Sequence, residues 1–343
     1  LYCLWYQFDQ HPEKLVFGRT GVSGIRFFFW DSQFGRFLNT GPIKGKGDPA
    51  FFLHTLIWAF LPWSLVLYMA LVRIWQKRWR RSAQHVEWLS LSGAFITLLV
   101  FSLSKFQLPH YSNIIFPLLA ILLSGYLQQV KLSKEWKAVH VVQTIVITIM
   151  VIAPLLLHYF FRPATLSWPA LILIFVLIIL LVFLPGMGSF PSKTLLFYRT
   201  ALAALIVNFY LNSIAYPSIM HYQAGSEAAF YSNKKFPHIP VVQLRKDYSY
   251  ALTFYLHSRV ITIDSLQQLE QITYSSYLLY APDNETEKLI SEKPMPIKKE
   301  FDYFPVSMLN GKFINYKTRE EELSQFALIL MSEPELHAGR SGE

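Results

Sequence analysis

Between residues 50 and 217 the chain is built almost wholly of apolar runs, each near the length a bilayer demands. A helix needs about 20 mostly apolar residues to cross the hydrocarbon core. Six stretches meet that need, roughly 50–73, 87–104, 110–128, 138–161, 166–186 and 194–217. In lipid the backbone polar groups have no water to bond, so such runs must be helical. Pro62, Pro117, Pro154 and Pro169 fall inside or near the start of these runs, where neighbouring helices can satisfy the freed groups. The expected fold class is therefore a polytopic α-helical membrane protein with about six transmembrane helices. Three regions follow: a juxtamembrane segment 1–49, a membrane region 50–217 and a soluble domain 218–343.

Charge supports this division and orients it. Only 15% of the residues are charged, against about 25% in ordinary soluble domains. The net charge of +9 is explained by position. Lys77, Arg78, Arg80 and Arg81 follow the first run, Lys131, Lys134 and Lys137 follow the third, and Lys193 with Arg199 follows the fifth. The loops after the second and fourth carry only Lys105 and Arg162. Basic residues concentrate on the cytoplasmic side. The alternation puts residues 1–49, Lys105–His110 and everything after 217 on the outer face. No basic stripe interleaved with aromatics appears in the soluble part, so nucleic acid is not the expected partner. The lone Cys3 excludes an internal disulfide and a cysteine zinc site. The chain opens at Leu1 with Tyr2, Trp5, Tyr6 and Phe8 and has no signal peptide, which reads as a portion of a longer protein.

In 218–343, Val241–Leu244, Val260–Ile263, Tyr277–Tyr280 and Phe326–Met331 read as buried strands. Residues 248–257, 265–273 and 284–292 have helical character, and 332–343 reads as a frayed tail. Strand–helix alternation predicts a small α/β domain with a largely parallel sheet. No glycine-rich phosphate loop joins a strand to a helix there.

The chemistry concentrates in a polar knot, Ser104-Lys105-Phe106-Gln107-Leu108-Pro109-His110-Tyr111-Ser112-Asn113, lodged between two apolar runs. A cation at that depth is costly without an anionic partner. With Arg36 and Asp31 upstream, Lys105, His110 and Tyr111 form an outer-face polar set suited to a lipid phosphate. Arginine supplies a two-pronged donor and lysine a point charge. The same residues also suit a snorkelling lysine and two interface anchors. His54, inside the first run, is either a bundle hydrogen bond or a site residue. A divalent metal on His110, His54 and Asp31 is permitted by residue type, but no ligand spacing supports it. Asn208 and Asn212 share a helix face and read as helix–helix glue. No nucleophile elbow, paired-carboxylate set or Walker loop occurs within the runs.

Four stretches carry a resemblance: Trp30-Asp31-Ser32-Gln33-Phe34-Gly35-Arg36-Phe37, then Asp48-Pro49-Ala50-Phe51-Phe52-Leu53-His54 leading to Leu61-Pro62-Trp63, then Ser102 through Tyr111 with Pro117, and Ser249 through Leu256 with Arg259-Val260. Together they resemble the C-terminal half of a polyprenyl-phosphate-sugar-dependent glycosyltransferase. The superfamily is that of the dolichyl-phosphate-mannose–protein mannosyltransferases and the lipid A aminoarabinose transferases. The resemblance implies a GT-C-like fold whose C-terminal domain faces the periplasm of a bacterial inner membrane. It implies an inverting transfer of a sugar from a polyprenyl-phosphate carrier to an envelope acceptor. It further implies that Arg36, Lys105 and Tyr111 line the carrier-phosphate site, with His110, His54 and Asp31 nearby. Two departures stand out. The family's Lys-Leu-Pro reads Lys105-Phe106-Gln107-Leu108-Pro109 here, and Ser32 stands where some relatives have histidine. The family's catalytic acid belongs to an earlier outer loop, so Asp31 is not assigned as the base and this stretch alone is expected to be inactive. A transporter or assembly subunit is the alternative, against which the near absence of intramembrane acids counts. A third reading makes 218–343 a binding module on a helical anchor.

Overall fold

The computed structural model describes residues 1–14, 16–42, 44–79, 87–130, 134–163, 167–186, 190–286 and 297–332. Arg80, Arg81, Lys131, the expected helix beyond 286 and the tail from 333 lie outside the described residues. The chain divides into two compact units, 1–150 with 188–201 and 151–187 with 202–343.

The first unit begins with two short helical segments, Tyr2–Asp9 and Gly24–Asp31, that cross at a glycine. A Cβ on Gly24 would sit 2.6 Å from the Leu4 carbonyl oxygen and 2.9 Å from the Phe8 ring. Asp9 accepts the Gly24 N–H at 2.9 Å. The Ser23 hydroxyl holds the Asp9 carboxyl below its ordinary range; burial opposes this in part, and the Gly24 and Ile25 amides add to the lowering. A helical turn, Phe34–Phe37, follows and carries Arg36.

The first apolar run is two helices, Phe51–Ala59 and Ser64–Trp79. Pro62 lacks an N–H and its ring clashes with the preceding turn, so the run breaks there. The Pro62 carbonyl accepts from the fully buried Gln143 at 3.1 Å, and Gln143 also donates to the Thr200 hydroxyl at 3.2 Å. Pro117 and Pro169 instead occupy first turns, where no donor is lost, and Pro154 lies within an unbroken helix. Among the described residues, four helices are long and apolar enough to cross a membrane: Pro109–Gln129, Lys134–Phe161, Trp168–Gly186 and Ser192–Met220. Ser64–Gln76 and Trp88–Leu103 are apolar but shorter, so helix length supports four candidate spans and does not confirm the count of about six. Ile145, Ile149, Phe175 and Val182 on these helices are exposed, as lipid-facing side chains are.

The second unit holds a five-stranded sheet: β1 (Val241–Leu244), β2 (Val260–Ile263), β3 (Ser276–Pro282), β4 (Lys298–Tyr303) and β5 (Ser324–Ser332), in the order β2-β1-β3-β5-β4. β1 pairs in parallel with β2 and β3, while β5 is antiparallel to both β3 and β4. The sheet is thus mixed, not largely parallel. β4 reads Lys-Lys-Glu-Phe-Asp-Tyr, the charged pattern of a protected edge, which hides it from a search for apolar runs. The central strands bury both faces. Val241, Leu278 and Tyr280 pack under the Ala224–Lys235 and Tyr250–Tyr255 helices, while Val242, Leu244, Tyr277 and Leu279 pack on the opposite side against Leu266 and Leu269.

The end of the Lys134–Phe161 helix is bonded into this unit. Phe161, Phe304 and Phe313 form a buried cluster, with Phe304 and Phe313 stacked at 3.9 Å. Arg319 lies over the Phe161 ring, donates to the Phe161 carbonyl, and donates to the Tyr222 hydroxyl at 2.8 Å. Asn208 and Asn212 donate to carbonyls one turn back in their own helix, which overturns the expected glue between helices.

Candidate functional site

The knot lies within the first unit and its shape follows from its sequence. The Trp88–Leu103 helix ends at Ser104, whose extended backbone turns the chain. The Ser104 hydroxyl accepts the Phe106 N–H at 3.2 Å and donates to the Phe106 carbonyl at 3.0 Å, closing a tight polar turn. Pro109 then starts a 3-10 helix, Pro109–Ile115, that runs into the next membrane helix. Lys105 is exposed at the tip of this turn.

A glycine-bearing loop clamps the turn from the other side. A Cβ on Gly45 would come 2.2 Å from the Lys105 carbonyl oxygen. Gly47, at φ +67°, lies against the Lys105 Cα, so that position needs glycine for two reasons. Asp48 then fastens loop to knot: its N–H donates to the Gln107 side-chain oxygen at 2.8 Å. Its carboxylate accepts the Ala50 N–H at 2.9 Å and meets His54 Nε2 at 3.2 Å.

Arg36 reaches the same turn. Its guanidinium lies 5.1 Å from the centre of the Phe106 ring, a cation–π contact. Its Nε is buried and has no hydrogen-bond partner among the described residues. Buried donors are nearly always paired, so an unpaired guanidinium N–H packed on the residue that follows the exposed Lys105 marks a place suited to an anion. Tyr111 is held separately, stacked on Phe101 at 5.5 Å with the His110 ring edge-on at 4.8 Å. Among the described residues no hydrogen bond or ring contact joins Tyr111 or His110 to Arg36 or Lys105. His54 turns to Asp48, and Asp31 faces Arg26 at 3.9 Å. Among the described residues no group of three or more His, Cys, Asp or Glu side chains is placed to hold a metal ion.

Two contributors were not anticipated, Gln107 and Asp48. The departure Phe106-Gln107 is the signal that could have found them. Phe106 carries Arg36, and Gln107 carries the Asp48 loop, so the two extra residues are what couple the knot to its neighbours.

No protein-family model matches the chain. Over 104 residues, 30% of this chain, it is 34% identical to the undecaprenyl phosphate-alpha-4-amino-4-deoxy-L-arabinose arabinosyl transferase of Edwardsiella ictaluri (strain 93-146). That match covers 18% of the relative. The crystal structure of ArnT from Cupriavidus metallidurans bound to undecaprenyl phosphate superposes on 88% of this chain with a TM-score of 0.52 at 15% identity.

The fold is ArnT-like.

The chain spans 55% of the length of that solved ArnT, its C-terminal part, and the ArnT-like fold comprises the candidate membrane helices together with the small sheet domain.

Proposed function

We propose that this chain is part of a membrane glycosyltransferase that moves a hexose or pentose from a polyprenyl-phosphate carrier to an envelope acceptor. Arg36, Lys105 and Tyr111 bind the carrier phosphate, with His110, His54 and Asp31 around them. The chain sits in a bacterial inner membrane, with residues 1–49, the knot and the sheet domain on the periplasmic face. The observation that carries this reading is the buried Arg36 Nε, without a partner among the described residues and packed on the turn that exposes Lys105, within an ArnT-like fold. The likeness to a transferase named for undecaprenyl phosphate supports the carrier's chemistry.

The reaction is in-line displacement at the anomeric carbon. The acceptor oxygen forms its bond as the bond to the phosphate oxygen breaks, and the carrier phosphate departs with the electron pair. Arg36 and Lys105 stabilise the charge growing on that phosphate, in a partly dry site where such contacts gain strength. A base outside this stretch takes the acceptor's proton. Phe106 holds the guanidinium plane, and the Asp48–Gln107 bond holds the turn that presents Lys105.

The test is binding of undecaprenyl phosphate to the detergent-solubilised chain, read by native mass spectrometry. Arg36→Ala and Lys105→Ala should each weaken binding by roughly tenfold or more, the scale of one charge-assisted hydrogen bond, with unchanged circular dichroism. Wild-type binding in both variants rejects the assignment.

A further inference from the structure

A second cationic cavity lies in the juxtamembrane segment; it contains none of Arg36, Lys105 and Tyr111 and has only Asp31 in common with the residues around them. Its volume is about 560 Å³, and its lining includes Arg19, Arg26, Lys44, Ser23 and Asp31. The lining thus holds three cationic residues and one carboxylate. That carboxylate is only loosely engaged, at 3.9 Å from Arg26 Nε. Among the described residues Arg19 and Lys44 have no carboxylate partner at all.

The walls are built and not incidental. Arg19 is placed by paired backbone bonds with Val16 at 2.8 and 3.0 Å, beside a turn in which Gly21 takes φ +68°. Arg26 belongs to the short helix that Ser23 caps by accepting its N–H at 3.2 Å. Lys44 precedes Gly45, which is pinned by the Asn39 side chain at 2.9 Å and by its close approach to Lys105. Three separately anchored segments therefore bring like charges to one concavity. Such convergence raises the local positive potential and favours an anion there.

We infer that Arg19, Arg26 and Lys44 form a second anion site that takes a phosphate group, distinct from the carrier-phosphate residues. Two guanidinium forks and one ammonium match a three-oxygen anion better than a single carboxylate. The phosphate comes either from a lipid headgroup at the membrane surface or from a free phosphate. Asp31 sets the limit of the site, since its carboxylate repels an anion pushed towards Arg26.

The experiment uses the full chain in phosphatidylcholine nanodiscs, in a Lys105→Gln background that weakens the other site. One arm titrates inorganic phosphate at low salt and follows thermal stabilisation. The other measures retention of phosphatidic acid from mixed phosphatidylcholine–phosphatidic acid bilayers by native mass spectrometry. Adding Arg19→Gln and Lys44→Gln should weaken binding about tenfold in at least one arm, and the arm that responds identifies the source. Arg19→Lys with Lys44→Arg, which keeps both charges, should restore much of the loss and guards against misfolding. The proposal is overturned if neither arm shows binding, if binding is unchanged by the double substitution, or if all phosphate binding is already lost on Lys105→Gln alone.

Discussion

Gly45→Ala tests how the knot is held. Gly45 lies outside the left-handed region, so alanine meets no backbone penalty there, and the whole cost comes from contact. The new Cβ would lie 2.2 Å from the Lys105 oxygen, 2.9 Å from the Phe106 Cα and 3.0 Å from the Lys105 carbonyl carbon. All three are backbone atoms and cannot rotate aside. Restoring ordinary separations requires a shift of about 1 Å. Overpacking of that kind costs about 1–3 kcal/mol. The same shift draws Asp48 away from Gln107, and their bond is worth about 0.5–1.5 kcal/mol. Together the loss should be about 1.5–4.5 kcal/mol. A displacement of about 1 Å in a group that must meet a ligand can cost about 100-fold, so carrier binding should fall more than stability alone explains. The assay pairs thermal unfolding of the solubilised chain with undecaprenyl-phosphate binding. Gly125→Ala is the control: it sits in a helix with nothing within 4 Å of the added atom, and should stabilise by about 0.5–1 kcal/mol. If Gly45→Ala unfolds at the wild-type midpoint and binds the carrier normally, the loop does not clamp the knot.

Three further outcomes follow from the second unit. Phe313→Ala should cost about 3–5 kcal/mol, because it empties a fully buried position stacked on Phe304 and strips Arg319 of an aromatic wall; an unchanged unfolding midpoint would contradict that packing. Gly225→Ala would drive a Cβ to 2.0 Å from the Ser249 Oγ, which caps the Tyr250–Tyr255 helix, so it should destabilise by about 1–3 kcal/mol and Ser249→Gly should relieve part of the loss. Burial, reinforced by Glu285 and opposed by Lys246, raises the Asp247 carboxyl above its ordinary range. Its folded pKa exceeds its unfolded one, so the penalty is present above the folded pKa and disappears as pH falls through it. Asp247→Asn should therefore stabilise near neutral pH, with the gain shrinking through the acid range; a gain that grows on acidification would refute this.

Much of the architecture can be read from local pattern. The apolar lengths between 50 and 217 dictate helices because lipid offers the backbone no other partner. Val241–Leu244 and Val260–Ile263 are strands with the bounds their apolar runs suggest, since strands buried on both faces need no alternation. Pro62 shows the limit of that reading. One run became two helices there, while Pro154 left its helix whole, and the residue type is the same in both places. The edge strand Lys298–Tyr303 escaped for a related reason, because its pairing comes wholly from β5.

The candidate site divides in the same way. Residue type alone singled out Arg36 and Lys105 as partners for an anion, because a cation near lipid is costly without one. Only the tertiary structure brought Arg36 to the turn that carries Lys105. Phe106 receives the Arg36 guanidinium across a sequence gap of 70 residues, and Asp48 fastens to Gln107 across 59. Composition dictates which elements form, because burial and backbone bonding act over a few residues. Which side chains meet is decided by close approach between distant segments, and at Gly45 and Gly47 that approach exists only because no side chain stands in the way.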